Sequence, residues 1–490
     1  MNPRLSRKKE LAKRTLIYGI MTMSVLALLT ILMMMVMGYQ FDLKTRSVEQ
    51  TGLVQYDSFP SSARVAVDGT TLGSRTQTKN TVIPGKHQFA MQLNGYEPWQ
   101  KTVDVSAGAV TWLNYIRFVP VEKEVVSTYS LPSVDKAVAS PDRRYMVLWR
   151  QDDQGPILEL LDFRSSGSPQ ATEYRPTTQQ MAGLDPANLA EQHKIDSVRW
   201  SGDSRYVVVK HTYQLKGTES KSEWLWIDRE SPDTMVNLSS FFGLEFDDVQ
   251  PLNSPKVMVL ANQDIREASV GDGVISVPRA TGVQSFTVRD NDIFSYIAKE
   301  GEATAAGVWR RGEEPMVFAR SLVESDGPMH IVVNRYFNKD TVAVSVGQRI
   351  TYYRGDVPTS EAGLTSLLQT ARSFAFHSTL TNLQFSSNGR FLIAEDDNSF
   401  VSYDLERLEV SQNIPKHATS PLKWLDGYHV VQVDSSGNLL MQEFDGLNNS
   451  VLMSANTSLD SLLTNDGKYV YTWLTSDGVI ELKRLSMTIG

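Results

Sequence analysis

Seven histidines (His87, His193, His211, His330, His377, His417 and His429) are the first residues to weigh for metal or acid–base chemistry. They are scattered along 490 residues, with no pair at metal-ligand spacing and no His-Glu-x-x-His helix signature. The chain has no cysteine, which removes a thiolate zinc site, a thiol nucleophile, a disulfide scaffold and a cysteine-borne lipid. A Gly-x-Ser-x-Gly elbow and a phosphate-cradling glycine loop are also absent. A Ser/His/Asp triad need not be close in sequence, and no local motif here marks one. Acidic turns at Asp152-Asp153, Asp247-Asp248 and Glu395-Asp396-Asp397-Asn398 offer oxygen ligands. None follows the calcium-loop pattern with its distal glutamate, and solvated hairpin turns explain them more simply. We therefore expect no catalytic residues, no metal and no cofactor.

Charge and hydropathy divide the chain. The first 14 residues hold six basic side chains against Glu10, a net of +5, which leaves −13 for the remainder of a chain whose total is −8. An acidic body repels phosphate backbones, so nucleic acid is an unsuitable partner. No residue from Thr15 to Phe41 is charged. At about 1.5 Å per residue, the apolar run from Leu16 to Met37 reaches roughly 33 Å, enough to cross a hydrocarbon core of about 30 Å. The run is too long for a cleaved signal peptide and ends without a small-x-small cleavage site, so residues 15–41 read as an uncleaved transmembrane signal anchor. The basic leader, 1–14, is expected in the cytoplasm, with Tyr39 and Phe41 near the outer interface and the bulk of the chain extracytoplasmic. Residues 42–51 read as a polar spacer.

Residues 52–120 change to short alternating strands. Val65 and Val67 run into Asp68-Gly69, and Phe89, Met91 and Leu93 share a face that Asn94-Gly95 closes, both turns being of the primed hairpin type. Val103 and Val105 mark a further strand. These features predict a small antiparallel β-sandwich. The pattern Pro60-Ser-Ser-Ala63 before Val65-x-Val67-Asp68-Gly69, then Leu72-Gly73, Pro84-Gly85-x-His87, Gly95-Tyr96 and Trp99 resembles a PEGA domain, although the name-giving tetrapeptide keeps only its first and last letters. The resemblance implies an extracytoplasmic β module with a binding or spacing role and no reaction of its own. His87, Tyr96 and Trp99 are possible ligand contacts there, with core packing as the simpler reading.

From 121 to 490 one unit recurs. Ser140–Leu148, Ser201–Val209, Ser386–Ala394 and Thr464–Thr472 share the form Ser/Thr-x-Asp/Asn-x-Arg/Lys-aromatic-apolar. Looser copies start at Asn253, Asp290, Asn338 and Leu425. Successive copies lie about 40–60 residues apart, the period of propeller blades. This region resembles a β-propeller of the WD40/Tol-periplasmic type, with eight blades expected and seven as the alternative; two separate sandwiches are the competing fold. Because a ring must hide its edges, the segment Glu122–Leu131 is expected to complete the blade that ends at Ile480–Leu485. Trp200, Trp224, Trp226, Trp309, Trp424 and Trp473 fill spaces between blades or line a central funnel, and Trp309, before Arg310-Arg311-Gly312, is the one singled out as a possible ligand contact.

The expected molecule is mainly β: a transmembrane helix, a PEGA-like sandwich and a propeller, inserted in the lipid bilayer through residues 15–41. Its expected function is non-enzymatic binding or scaffolding of an envelope protein or glycan. The alternative is a propeller-based glycan hydrolase or lyase, which would need two convergent carboxylates.

Overall fold

The computed structural model describes residues 7–42, 47–165, 167–183, 189–215, 220–322 and 327–489. Residues 1–6 of the basic leader and 43–46 of the spacer lie outside them. Two compact units divide at Glu122/Lys123.

In the first unit, helix α1 (Arg7–Val36) is apolar on every side over most of its length and none of its apolar residues is buried. It starts before the expected Thr15, because the basic residues continue the helix, and stops at Val36. Gly38 then turns the chain at φ +81°. Part of the expected spacer is structured instead: β1 (Tyr39–Asp42) and β2 (Ser47–Gln50) form a hairpin.

The PEGA-like region folds as two packed sheets. One holds β6 (Thr78–Val82), β3 (Gly52–Phe59) and β9 (Val110–Arg117) in that order. The other holds β5 (Thr70–Arg75), β4 (Arg64–Val67), β7 (Gly85–Gln92) and β8 (Trp99–Val105). Strict alternation builds the core: Trp99, Lys101, Val103 and Val105 of β8 point inward while their neighbours are exposed. Val54, Tyr56, Val65, Phe89 and Met91 are fully buried between the sheets. Asp68-Gly69 is the expected primed turn, with φ of 49° and 78°. Two expectations are corrected. Asn94-Gly95 does not close a primed hairpin: Tyr96 N bonds Leu93 O at 3.1 Å and only Gly95 is left-handed, the pattern of a type II turn. The sandwich is also not purely antiparallel, since β9 crosses back from β8 to lie parallel to β3.

The second unit is a β-propeller. Among the described residues it contains eight sheets, seven formed from consecutive strands. The eighth joins Leu462–Leu463, Tyr469–Ser476 and Val479–Ser486 to β10 (Val125–Leu131). We number these blades 1 to 8 from Lys136–Tyr174 to this composite sheet. Val125 pairs with Leu485 and Leu131 with Ile480, so the two ends of the unit close the ring as expected.

All eight copies of the recurring unit fall between the first and second strands of a blade. Their chemistry explains the motif. In the first copy Ser140 Oγ donates to Asp142 Oδ1 (2.5 Å) and accepts from Tyr145 N (3.0 Å), while Asp142 Oδ1 accepts from Arg144 N (3.1 Å). The same three bonds recur around Ser201/Asp203, Ser386/Asn388 and Thr464/Asp466. The residue after the Asp or Asn is left-handed each time: Arg143, Ser204, Gly389 and Gly467. Hydroxyl and carboxylate, or in one copy the Asn388 amide oxygen, thus satisfy the backbone of a tight turn that launches a buried strand.

Adjacent blades share apolar cores. Met146, Leu148 and Phe163 of blade 1 pack on Tyr471, Trp473 and Leu482 of blade 8. Trp149 lies between blades 1 and 2, Trp224 between 2 and 3, and Trp309 between 3 and 4.

Candidate functional site

Between the axial ends of blades 7 and 8 opens a cleft of about 820 Å³. Its origin is local. The inner strands there, Lys423–Trp424 and Leu462–Leu463, have two residues each, whereas Lys136–Ala139, Asp248–Pro251 and Asn382–Phe385 have four. Two short strands leave space that longer ones would fill. Apolar Leu422, Leu425, Leu459 and Leu462 line the cleft together with polar Asp142, Arg143, Gln384, Lys423, Asp426 and Asp460.

The charged groups are organised. Asp460 spans three blades: Oδ1 takes an ion pair from Lys423 Nζ of blade 7 (2.5 Å), and Oδ2 accepts from Ala139 N of blade 1 (3.3 Å). Asp426 Oδ1 caps the blade 7 turn by accepting from Tyr428 N and His429 N, both at 2.8 Å, and lies 3.0 Å from His429 Nδ1. Asp142 is the turn acceptor described above. Behind the wall lies a buried ion pair. Lys416 Nζ lies 2.9 Å from Glu395 Oε2, with side chains 1% and 0% exposed. Glu395 also accepts from Asn382 Nδ2 (2.7 Å), Gln384 Nε2 (3.0 Å) and Leu422 N (3.0 Å). This network binds blade 6 to the strand that enters blade 7.

Two other polar clusters bring together residue types used in catalysis. His377 Nε2 lies 3.3 Å from Ser399 Oγ and 3.4 Å from Asp396 Oδ2. Serine and carboxylate meet the same ring nitrogen, whereas a triad needs the carboxylate on the opposite one. Burial pushes the Asp396 carboxyl up, but hydrogen bonds from Ser378, Asn398 N and Ser399 N outweigh it and hold the group below the usual range. In blade 2, His211 donates from Nδ1 to Met181 O (2.9 Å), so its Nε2 accepts from His193 Nδ1 (2.9 Å). Burial, then the neighbouring His193, lowers His211 to about 3. Among the described residues no group of three His, Asp or Glu stands together to hold a metal.

The four possible ligand contacts named from sequence are placed inside the two units. His87 is 8% exposed; it lies 2.6 Å from Asp68 Oδ2 and 2.9 Å from Ile83 O, bracing the hairpin. Trp99 (3% exposed) meets Tyr115 edge-on, and Tyr96 is half-buried against Phe118. Trp309, 2% exposed, stacks on Phe294 with centroids 4.7 Å apart. His87, Trp99 and Trp309 are brought into cores, Tyr96 packs half-buried beside one, and none lines the cleft. The cleft itself is not legible in the sequence, because its walls come from turns of blades 1, 6, 7 and 8, from Ala139 to Asn465.

The molecule is thus a chain with an N-terminal apolar helix, a PEGA domain and a β-propeller closed by its own two ends. The model of the family described as "PEGA domain" matches residues 51–120. No curated protein matches the chain. Solved structures similar to it include Sqt1 from Chaetomium thermophilum, 11% identical, with a TM-score of 0.42 over 71% of this chain and 96% of that one. Sqt1 from Saccharomyces cerevisiae is 10% identical, with a TM-score of 0.41 over 74% and 97%.

Proposed function

We propose that the protein is a single-pass membrane protein whose PEGA domain and propeller lie outside the cytoplasm, and that the propeller binds an envelope protein or glycan without chemical turnover. Anchor length, the basic leader and the uncharged run from Thr15 to Phe41 support the location. The observation that carries the binding role is that the cleft carboxylates are committed. Asp460 holds Lys423 and a blade 1 amide, while Asp426 and Asp142 hold their turns. Such groups can recognise a partner at the cleft mouth through charge and shape. They are poorly suited to pass protons to a glycosidic oxygen.

The test is a site-specific crosslink from the cleft of the full-length protein in intact envelopes, with a photoreactive residue at Ser387, followed by incubation of the purified protein with envelope polysaccharide. A discrete adduct without glycan cleavage is expected. Release of sugar fragments, abolished by Asp460→Asn, would transfer the assignment to the hydrolase or lyase reading. Protease given access to the non-cytoplasmic side of the anchoring membrane, with that membrane intact, should digest the propeller.

A further inference from the structure

We propose that the anchor-proximal end of the PEGA sandwich rests on the lipid surface itself, with Ile83, Val110 and Trp112 entering the headgroup layer. This rests on the reading of α1 as a membrane anchor. The apolar run fills a hydrocarbon core by its own length, which puts Gly38 at the outer boundary.

Short bonds then tie the sandwich to that depth. Thr51 donates to Gly38 O from both N (2.9 Å) and Oγ1 (2.8 Å), and Gln50 Nε2 donates to Met37 O (3.0 Å). Thr51 O in turn accepts from Gly108 N (3.0 Å), and Leu53 N donates to Ala109 O (2.9 Å). From the end of the helix to the start of β9 is therefore two hydrogen bonds. Strands β3 and β9 leave this junction side by side, Leu53 level with Val110 and Gln55 level with Trp112. Strand β6 returns to it, Val82 opposite Gly52, so Ile83 arrives at the same level.

What this end presents is unusual for a water-facing sheet. Ile83 is 55%, Val110 46% and Trp112 36% exposed, while Leu113 and Tyr115 on the same strand point into the core. Trp112 stands two residues beyond Val110, about 7 Å further along the strand, within the depth that interfacial tryptophans occupy. Lys86 is exposed just past the Pro84-Gly85 turn, where its ammonium can meet phosphate. Aliphatic side chains at this end, an indole further along the strand and a lysine beside them are the residue types of an interfacial layer.

Because the chain has no cysteine, single cysteines can be labelled without background. Full-length V110C and I83C, each carrying an environment-sensitive dye, would be reconstituted into phosphatidylcholine vesicles with nitroxide lipids labelled at the headgroup or at a shallow acyl carbon. S61C, at the opposite end of the sandwich, and L29C, inside α1, serve as references. Quenching of V110C and I83C at least twofold stronger than that of S61C is expected, together with strong quenching of L29C. Quenching at 110 and 83 no greater than at 61, with L29C quenched, would overturn this proposal and leave the anchor standing. An unquenched L29C would overturn the anchor and the proposal with it.

Discussion

Lys416→Met tests whether the network behind the cleft wall holds blades 6 and 7 together. In the native protein Lys416 faces Glu395 at 2.9 Å with both side chains out of water. Removing the ammonium leaves a buried carboxylate with only neutral donors: Asn382, Gln384 and the Leu422 amide. Breaking one side of a buried pair costs about 3–5 kcal/mol, and the three remaining donors place the loss toward the lower figure. The propeller unit, Lys123–Thr488, has about 370 residues. At about 2.1 cal/mol/K per residue its unfolding entropy is about 0.8 kcal/mol/K, so the melting temperature should fall by about 4–6 °C. The assay is calorimetry of the full-length protein in detergent. The double variant Lys416→Met, Glu395→Gln removes both charges and should recover most of the loss, since a buried pair taken out whole is close to neutral. Melting of the single variant within 1 °C of the parent, or no recovery in the double variant, would refute the reasoning.

Three further outcomes follow from other parts of the ring. Gly389→Ala should cost more than about 3 kcal/mol by denaturant titration, because φ is 75° and a Cβ would overlap the Arg335 carbonyl oxygen; Gly437→Ala, at φ 78° in open space, should cost only about 1–2 kcal/mol. His211, lowered to about 3 in the fold, favours folding while neutral, so stability should decline as pH falls below about 6.5, at up to about 1.4 kcal/mol per unit. His211→Asn should flatten that slope between about pH 6 and pH 4 in unfolding titrations. Trp473→Ala, emptying a fully buried site between blades 8 and 1, should cost about 3–5 kcal/mol by the same titration with the denaturant slope unchanged.

The propeller was legible because its turns are chemical statements. Ser140, Asp142 and the left-handed Arg143 each do a defined job for the backbone, so even the loose copies at Asn253 and Leu425 mark real blades. Ring closure is legible from edge physics, and Val125 pairs with Leu485 accordingly. What could not be read were facts about neighbours. The parallel pairing of β3 with β9 leaves no mark in either strand's alternation. Likewise, aromatic rings suit a core and a binding face equally, and only the partners Phe294 and Tyr115 show which one Trp309 and Trp99 occupy. The cleft depends on two inner strands being two residues short, a deficit visible only beside their neighbours.

Sharing one blade between the two ends of the propeller sets a timetable for the nascent chain. The strand Val125–Leu131 meets its partner only when Val479–Ser486 has been made. At about 5–20 residues per second, synthesis keeps them apart for roughly 20–70 s. Throughout that interval the early strand is an unsatisfied ribbon next to other unfinished sheets, open to pairing with the wrong chain. A polypeptide interrupted before residue 479 never gains the final strand, so the fold acts as its own proofreader, and incomplete copies are left exposed to proteases.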